Sequence, residues 1–574
     1  MLQEVPDGAL AELARTEGGP DTLALLARDQ DTRRLLLLRA VLDAAEAADE
    51  ALCAAADKAR LRDAWSLLTE SDRTGGDTRD ARHPRTTDSD RADRADSTGP
   101  AGAAARADRT DRTDRADRAD RADIVDRADP PGHVGRSGST GGAGRPGDVG
   151  DADRAGRPGA VLPGSAGGVS SARALLLRPL TGAWAVRCLR GLLEPEGRAG
   201  AAGAPYPGDP GARPGGDELS RDLAHLGALA AAAAARAGLA FDLRLTARDG
   251  TLVLPSLGAL RTADPGAATV RVTGRNGCLT LRQGSAPDVV VFLEAGYGAW
   301  SGSPAWSPAG ALPGLTLDAA PMPLDDLDPY RGVRADPRHR TLSGPATLDD
   351  VARKRWLQAW SGTAAALRTG GERRQTEALA LLRCLVPLEM PPGADGRGGC
   401  SATRREAFGA LLSSTPPSPV AFAATLVHEL QHAKLAALGE MVTLHQEDGE
   451  ERYFAPWRPD PRPYDGLLQG AYAHLGLADF FQRRALTAEP AHRESAWVQH
   501  ARYRAQVGAV LPALVGSPRL TARGRRFVDG MAAAHEAMAT HPAPRGHTAR
   551  AQAYLRAART LWTQRQSSAP GPNE

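Results

Sequence analysis

The chain has 574 residues and a mass of 60.1 kDa, with 71 Lys and Arg against 69 Asp and Glu, 42% hydrophobic residues and only 4% aromatic residues. This length allows two or three domains of ordinary size, and a formal net charge of +2 gives no electrostatic reason to expect nucleic-acid binding. Five cysteines without a C-x-x-C spacing imply neither a disulfide framework nor a zinc ribbon, and they favour a reducing compartment.

The N-terminal residues lack the basic region and apolar run of a secretory signal, so no export is expected. The most apolar stretch, 226–241, is mainly alanine, is interrupted by Arg236 and is shorter than the ~20 residues that cross a bilayer. We therefore expect a cytoplasmic protein that neither enters a membrane nor binds nucleic acid.

Residues 1–70 are predicted to form an N-terminal helical segment, because leucines such as Leu10 and Leu13 recur at helical spacing. Residues 71–168 are rich in Asp, Arg, Ala and Gly, repeat an Asp-Arg-Ala or Asp-Arg-Thr triplet, and contain almost no apolar side chains. Such a segment cannot bury enough surface to offset its ordering entropy. We expect a long disordered insert, with a docking segment as the alternative.

Residues 169–300 are predicted to form a mixed α/β region with a small antiparallel sheet. Its strands are expected at Phe241–Leu245, Leu252–Pro255, Val270–Thr273, Cys278–Arg282 and Val289–Leu293. Between two of these runs, Asn276-Gly277 favours a tight hairpin turn.

A proline-rich connection is expected over 301–346, a helical domain over 347–565 and a disordered tail over 566–574. Within the helical domain, one of the predicted helices covers 377–385. The expected fold class is thus α+β and mainly α: a helical metal-binding domain with a small mid-chain antiparallel sheet and a long disordered insert.

The most informative motif is His428-Glu429-Leu430-Gln431-His432, an H-E-x-x-H within a predicted helix. Ser418 is suited to cap this helix, Pro419 fits its first position and Gly439 is expected to end it. Since residues four apart share one helix face, the two histidines can direct their imidazoles at one metal ion. The alternative is a helix whose histidines only satisfy hydrogen bonds in the core.

A third metal ligand has to come from elsewhere in the chain. His474 lies at the centre of an apolar stripe on the helix predicted over 467–486, where the alternative is a packed core histidine. Three glutamates, Glu447, Glu450 and Glu451, compete for the role, although a solvated acidic turn is the simpler interpretation for them.

A proline-rich stretch over 453–463 carries Arg458 and Arg462, whose guanidinium groups suit a carboxylate. The stretch therefore offers a clamp for an acidic ligand. In the alternative, the two arginines pair with Asp460, with Asp465 or with the acidic turn.

At these residues the chain resembles the H-E-x-x-H family of peptide-modifying enzymes that accompany ribosomally made peptides, described as 2-oxoglutarate-dependent peptide β-hydroxylases. The matching stretches are 401–409, 426–435, 455–463 and 470–474, with weaker likeness at 33–37 and 254–258. The Asp/Arg repeat has no place in the family's pattern and looks like an insertion.

The resemblance implies Fe(II) at His428, His432 and His474, with 2-oxoglutarate and O2 as cosubstrates and hydroxylation of a β-carbon in a peptide. It also implies that Arg458 or Arg462, together with Lys434, holds the distal carboxylate of 2-oxoglutarate. Because iron sites of this chemistry usually have two His and one carboxylate, a set of three histidines departs from the common pattern.

Two other functions stay open from the residues alone. A zinc metallopeptidase would use Glu429 as general base, and imidazole ligands suit Zn and Fe equally. A non-catalytic partner that binds a precursor peptide would use the metal only structurally.

Overall fold

The computed structural model describes residues 4–80, 170–193, 216–294, 296–332, 343–391, 399–446 and 453–567. Helices make up 58% of these residues and strands 14%, so the chain is mainly helical, as predicted. Most of the predicted insert, and all but the start of the predicted tail, lie outside the described residues.

The helices follow one another in two groups separated by the strands of the mid-chain region. The helices are α1 (Asp7–Ala14), α2 (Pro20–Ala47), α3 (Ala55–Asp80), α4 (Ser171–Leu176), α5 (Pro179–Leu193), α6 (Gly216–Arg236), α7 (Asp350–Ser361), α8 (Thr363–Thr369), α9 (Glu372–Leu381), α10 (Pro419–Met441), α11 (Tyr464–Thr487), α12 (Pro490–Val515), α13 (Ala522–Ala537) and α14 (Arg545–Ser567).

The strands form three small sheets. The strands are β1 (Phe241–Thr246), β2 (Thr251–Leu254), β3 (Gly258–Arg261), β4 (Thr269–Arg275), β5 (Cys278–Arg282), β6 (Val289–Phe292), β7 (Trp306–Pro308), β8 (Gly310–Leu312), β9 (Met322–Leu324), β10 (Cys384–Leu388), β11 (Ser401–Ala402) and β12 (Ala410–Ser414). Their orders are β1-β4-β5-β6, β2-β3-β7 and β11-β12-β10-β9-β8.

The four-stranded sheet contains four of the five strands predicted for one antiparallel sheet, whereas the fifth, Leu252–Pro255, corresponds to β2 of the three-stranded sheet. Its strands pair in antiparallel register, and Arg275 lies opposite Cys278 at the hairpin. Asn276 and Gly277 both have positive φ angles, 51° and 74°, which is the conformation that a type I′ turn requires. The predicted hairpin is therefore present.

The five-stranded sheet separates two hydrophobic cores. Its central strand, β10, pairs in parallel with both β12 and β9, and all five residues of β10 are buried. Leu385 faces a core built mainly from α1, α2 and α7–α13, whereas Val386 faces a second core built from α3–α6 and the other sheets. Parallel strands covered on both faces carry near-continuous apolar sequence, and such a run does not distinguish a strand from a helix.

Two sequence predictions need correction in this region. The predicted helix over 377–385 ends at Leu381, and Cys384 and Leu385 belong to β10. The proline-rich connection contains strands β7, β8 and β9, each of only three residues, which are too short to show an alternating pattern.

The N-terminal helices pack into the body of the protein. Leu10 and Leu13 of α1 lie in the same core as α10, and α2 contributes to both cores. Helix α3 continues to Asp80, past the predicted boundary at residue 70, because Ser71 still lies on its buried face. The start of the predicted disordered insert is therefore helical.

The two ends of the insert lie beside each other. Helix α3 packs against α4, and the hydroxyl of Ser170, at the start of α4, donates a hydrogen bond to Asp72 of α3. The chain thus resumes at Ser170 beside Asp72, about two turns before α3 ends at Asp80.

None of the helices in the described ranges is both long enough and apolar enough to span a membrane.

Candidate metal centre

Local sequence determines where α10 begins. The hydroxyl of Ser418 accepts a hydrogen bond from the Ala421 amide at 3.2 Å, and Pro419 occupies the first turn, as predicted. The predicted end at Gly439 is wrong, because α10 continues to Met441. A glycine inside a helix destabilises it by only ~1 kcal/mol relative to alanine, and the packing of the helix offsets this cost.

The two motif histidines lie together on one face of α10. Their Nε2 atoms are 3.2 Å apart, and their ring planes meet at 81°. Both side chains keep part of their surface accessible, whereas Glu429 between them is buried. The predicted pairing of His428 with His432 is therefore present.

Gln469 of α11 orients the His432 ring. Its side-chain oxygen lies 3.2 Å from Nδ1 of His432, so Nδ1 carries the proton and donates it to this oxygen. Nε2 of His432 then presents a lone pair towards His428. This is the arrangement in which metal-binding histidines occur: one ring nitrogen held by a hydrogen bond and the other available to the ion.

His428 and His474 are held in their neutral forms. Partial burial, followed by the neighbouring His432 and His474, lowers the pKa of His428 well below its ordinary value. Burial, together with the positive charge of Arg502, lowers the pKa of His474 to about 3. Neutral imidazole is the form that binds a metal ion.

The spacing of the pair fits two ligands of one ion. Two nitrogens that each lie about 2.1 Å from a metal are about 3.0 Å apart at a ligand angle of roughly 90° and about 3.4 Å apart at the tetrahedral angle. The observed 3.2 Å falls between these values. In addition, Nδ1 of His474 is buried without a hydrogen-bond partner, a costly state that an ion bound to this atom would relieve.

His474 lies beside the pair in an aromatic cage. Its ring centre is 5.5 Å from that of His428, 4.6 Å from Trp457 and 5.1 Å from Tyr503. Trp457 can approach because Gly470, one turn before His474, has no side chain: a Cβ there would lie 2.6 Å from the indole. The site is thus assembled from α10, α11, α12 and the 453–463 stretch.

The third ligand stays a prediction. Within the described ranges, no group of three or more His, Cys, Asp or Glu side chains is arranged closely enough to hold a metal ion. His474 lies adjacent to the pair, and the competing glutamates Glu447, Glu450 and Glu451 lie outside the described residues.

Glu429 contacts β11. One of its carboxylate oxygens accepts a hydrogen bond from the Ser401 hydroxyl at 2.7 Å. A buried carboxylate adjacent to a metal-binding histidine can accept or donate a proton, so the predicted acid–base role of Glu429 is compatible with its position.

The two arginines of the 453–463 stretch pair with one aspartate. Nε of Arg458 donates to Asp460 at 3.1 Å, and Arg462 donates to the other oxygen of the same carboxylate at 3.2 Å. These two charges lower the pKa of Asp460 despite the opposing effect of its burial. The sequence predicted this pairing with Asp460 as the alternative to the binding of an acidic ligand by the two arginines.

Lys434 lies in a buried charge network and not at an accessible surface. Its side chain is 0% exposed, and its ammonium group donates to Glu377 at 2.9 Å and to the backbone oxygens of Thr16 and Glu17 at 3.2 Å. An ammonium group with all three donors engaged has none left for a cosubstrate carboxylate. Its burial lowers the pKa of Lys434 to about 8, although Glu377 opposes this shift.

The network continues through Arg374, whose side chain is also 0% exposed. Arg374 donates to Glu377 at 3.0 Å, to Asp479 at 3.0 Å and to the backbone oxygen of Thr16 at 2.8 Å. These contacts tie the loop between α1 and α2 to α9, α10 and α11, the helices behind the histidine pair.

Sequence reasoning missed Gln469 and Arg502. Gln469 lies five residues before His474 on the same helix, but a glutamine carries no motif by itself. Arg502 precedes Tyr503 on α12, and only the folded chain reveals that this part of α12 reaches His474.

Replacing Gln469 with leucine is expected to weaken metal binding about 10- to 100-fold, because His432 loses the acceptor that fixes its tautomer. Gln469→Glu keeps an acceptor and should bind metal at least as tightly as the original protein. Titration with Zn²⁺ against a chromogenic chelator measures both affinities, and Gln358→Leu on the exposed face of α7 serves as control. Unchanged affinity in Gln469→Leu would contradict the orienting role.

No protein-family model matches the chain, and no curated protein matches it.

Proposed function

We propose that the protein is a metal-dependent enzyme that uses Fe(II), 2-oxoglutarate and O2 to hydroxylate a β-carbon in a ribosomally made peptide. One observation carries the proposal: the Nε2 atoms of His428 and His432 lie 3.2 Å apart on one face of α10, and both side chains are partly accessible. The resemblance of the motif and of the stretches around it to the H-E-x-x-H hydroxylases favours iron over zinc.

Each role in the proposal belongs to a residue of the chain. His428 and His432 would bind the ion, with His474 as the third ligand. Gln469 holds the His432 ring in the binding tautomer, and Ser401 holds Glu429, which would move a proton next to the ion. Bound Fe(II) would supply the activation of O2.

The surroundings of the site suit a reaction from which water has to be excluded. Trp457 and Tyr503 cover His474, whose side chain is only 3% exposed, and the apolar core lies directly behind α10 and α11. Such walls protect a reactive centre from side reactions.

The reaction balances as one O2, one 2-oxoglutarate and one C–H bond giving succinate, CO2 and one C–OH group. The anaerobically purified protein, given Fe(II), 2-oxoglutarate and a short peptide encoded beside its own gene, should form succinate on exposure to air. The peptide should become heavier by one oxygen, and with ¹⁸O2 both products should carry one labelled oxygen. Mass spectrometry measures both products.

Omission of 2-oxoglutarate is the control for this experiment and should abolish the change in the peptide. Cleavage of the peptide with Zn²⁺ and without 2-oxoglutarate would contradict the proposal and favour a metallopeptidase with Glu429 as base. We place the reaction in the cytoplasm, because the five cysteines are all free thiols.

A further inference from the structure

Arg502 of α12 is a cation near the histidines that pairs with no anion in the described residues. Its Nε atom is buried without a hydrogen-bond partner, and no carboxylate in the described ranges forms an ion pair with it. The nearby Arg458 and Arg462 differ, because both are bound to Asp460. A partly buried guanidinium without an anion is costly unless a ligand supplies one.

Two tyrosines hold the Arg502 guanidinium in place. Its Cζ atom lies 5.8 Å from the ring centre of Tyr503 and 5.7 Å from that of Tyr554, both within the range of a cation–π interaction. Tyr503 is 3% exposed, and Tyr554 donates a hydrogen bond to the backbone oxygen of Pro456. Arg502 is therefore positioned by aromatic faces, which leave the in-plane N–H donors of the guanidinium free for a ligand.

The same contacts connect Arg502 to the candidate metal centre. Tyr503 is in ring contact with His474 at 5.1 Å, and Pro456 directly precedes Trp457, which covers His474 from another side. The charge of Arg502 is close enough to contribute to the low pKa of His474. An anion bound at Arg502 would thus lie beside the histidines.

We propose that Arg502 is the carboxylate-binding residue of this site and that it, in place of Arg458, Arg462 or Lys434, receives the anionic end of the ligand that reaches the metal. A planar guanidinium with two free donors binds a carboxylate through two parallel hydrogen bonds. This inference rests on the proposed function for the identity of the cosubstrate, but the carboxylate chemistry follows from Arg502 itself. The carboxylate belongs to 2-oxoglutarate or to an acidic side chain of the peptide.

The test measures binding and not turnover. The full chain is loaded with Zn²⁺, which does not activate O2, and titrated calorimetrically with 2-oxoglutarate and with 2-oxobutanoate, which lacks the distal carboxylate. A second arm uses a capped Gly-Glu-Gly-Glu-Gly peptide and its glutamine counterpart. The variants are Arg502→Met, Arg502→Lys, and Arg458→Gln combined with Arg462→Gln.

Each arm compares a ligand with a counterpart that lacks the carboxylate. Arg502→Met should lower the affinity for 2-oxoglutarate or for the glutamate peptide about 10- to 100-fold and leave the affinity for the corresponding counterpart unchanged. Loss for 2-oxoglutarate assigns the carboxylate to the cosubstrate, and loss for the glutamate peptide assigns it to the substrate; both support the inference. Arg502→Lys should retain part of the affinity, since it keeps the charge but not the paired donors.

Arg504→Met is the matched control, because Arg504 lies on the same helix, is partly buried and also has a buried Nε without a partner. It should bind all four ligands as the original protein does. Unchanged affinities in both Arg502 variants, or a loss confined to the Arg458 and Arg462 variant, would overturn the inference. Failure of the original protein to bind 2-oxoglutarate would instead count against the proposed function, and the peptide arm would still decide the role of Arg502.

Discussion

His428→Ala and His432→Ala are each expected to lower metal affinity at least about 100-fold. Each substitution removes one of the two nitrogens that lie 3.2 Å apart, and a metal–ligand bond in a protein site contributes roughly 3 kcal/mol or more. Anaerobic equilibrium dialysis with Fe(II), followed by determination of bound metal per chain, measures the loss. The proposed hydroxylation should disappear in the same variants.

His500→Gln is the control for this experiment. His500 is a buried histidine of α12 whose Nδ1 lies 2.8 Å from the backbone oxygen of Ala478, and glutamine keeps a donor for that contact. Its metal content should match that of the original protein. If His428→Ala or His432→Ala retained full metal binding, the metal site would have to lie elsewhere. Full metal binding by His474→Ala would show that His474 is not the third ligand.

Arg374→Met is expected to lower the free energy of unfolding by about 2–3 kcal/mol. The substitution removes the cation that Glu377 and Asp479 share, while Lys434 still pairs with Glu377, and Arg373 and Arg483 still pair with Asp479. It also removes the donor to the backbone oxygen of Thr16, so the loop between α1 and α2 loses one of its attachments. Unfolding in urea, followed by circular dichroism, measures the change.

Arg355→Met provides the comparison, because Arg355 is exposed on α7 and forms no ion pair within the described residues. Its effect should stay within about 0.5 kcal/mol. A loss below about 1 kcal/mol in Arg374→Met would mean that the network behind α10 does not depend on this cation.

Features determined by neighbours along the chain could be predicted from the sequence. The Asn276-Gly277 turn, the cap at Ser418 and the shared face of His428 and His432 all depend on residues within a few positions of one another. Their geometry follows from backbone preferences and helical periodicity.

Features that depend on distant contacts could not be predicted. The apolar run of β10 does not reveal whether it forms a strand or a helix, because its burial on both faces arises from two separate cores. Lys434 shares a helix with the histidines, but its partners Glu377 and Thr16 come from α9 and from the N-terminal loop. The proximity of Arg502 to His474 likewise arises from the packing of α12 against α11.

Because Asp72 and Ser170 lie next to each other, the stability of the body of the protein should depend little on how many residues join them. By the general relation between loop length and closure entropy, each doubling in the length of a segment that joins two fixed points costs only about 0.6 kcal/mol. Lengthening or shortening the Asp/Arg repeat should therefore cost little free energy of folding. The length of the repeat and the geometry around His428 and His432 can thus be varied independently in engineered forms of the chain.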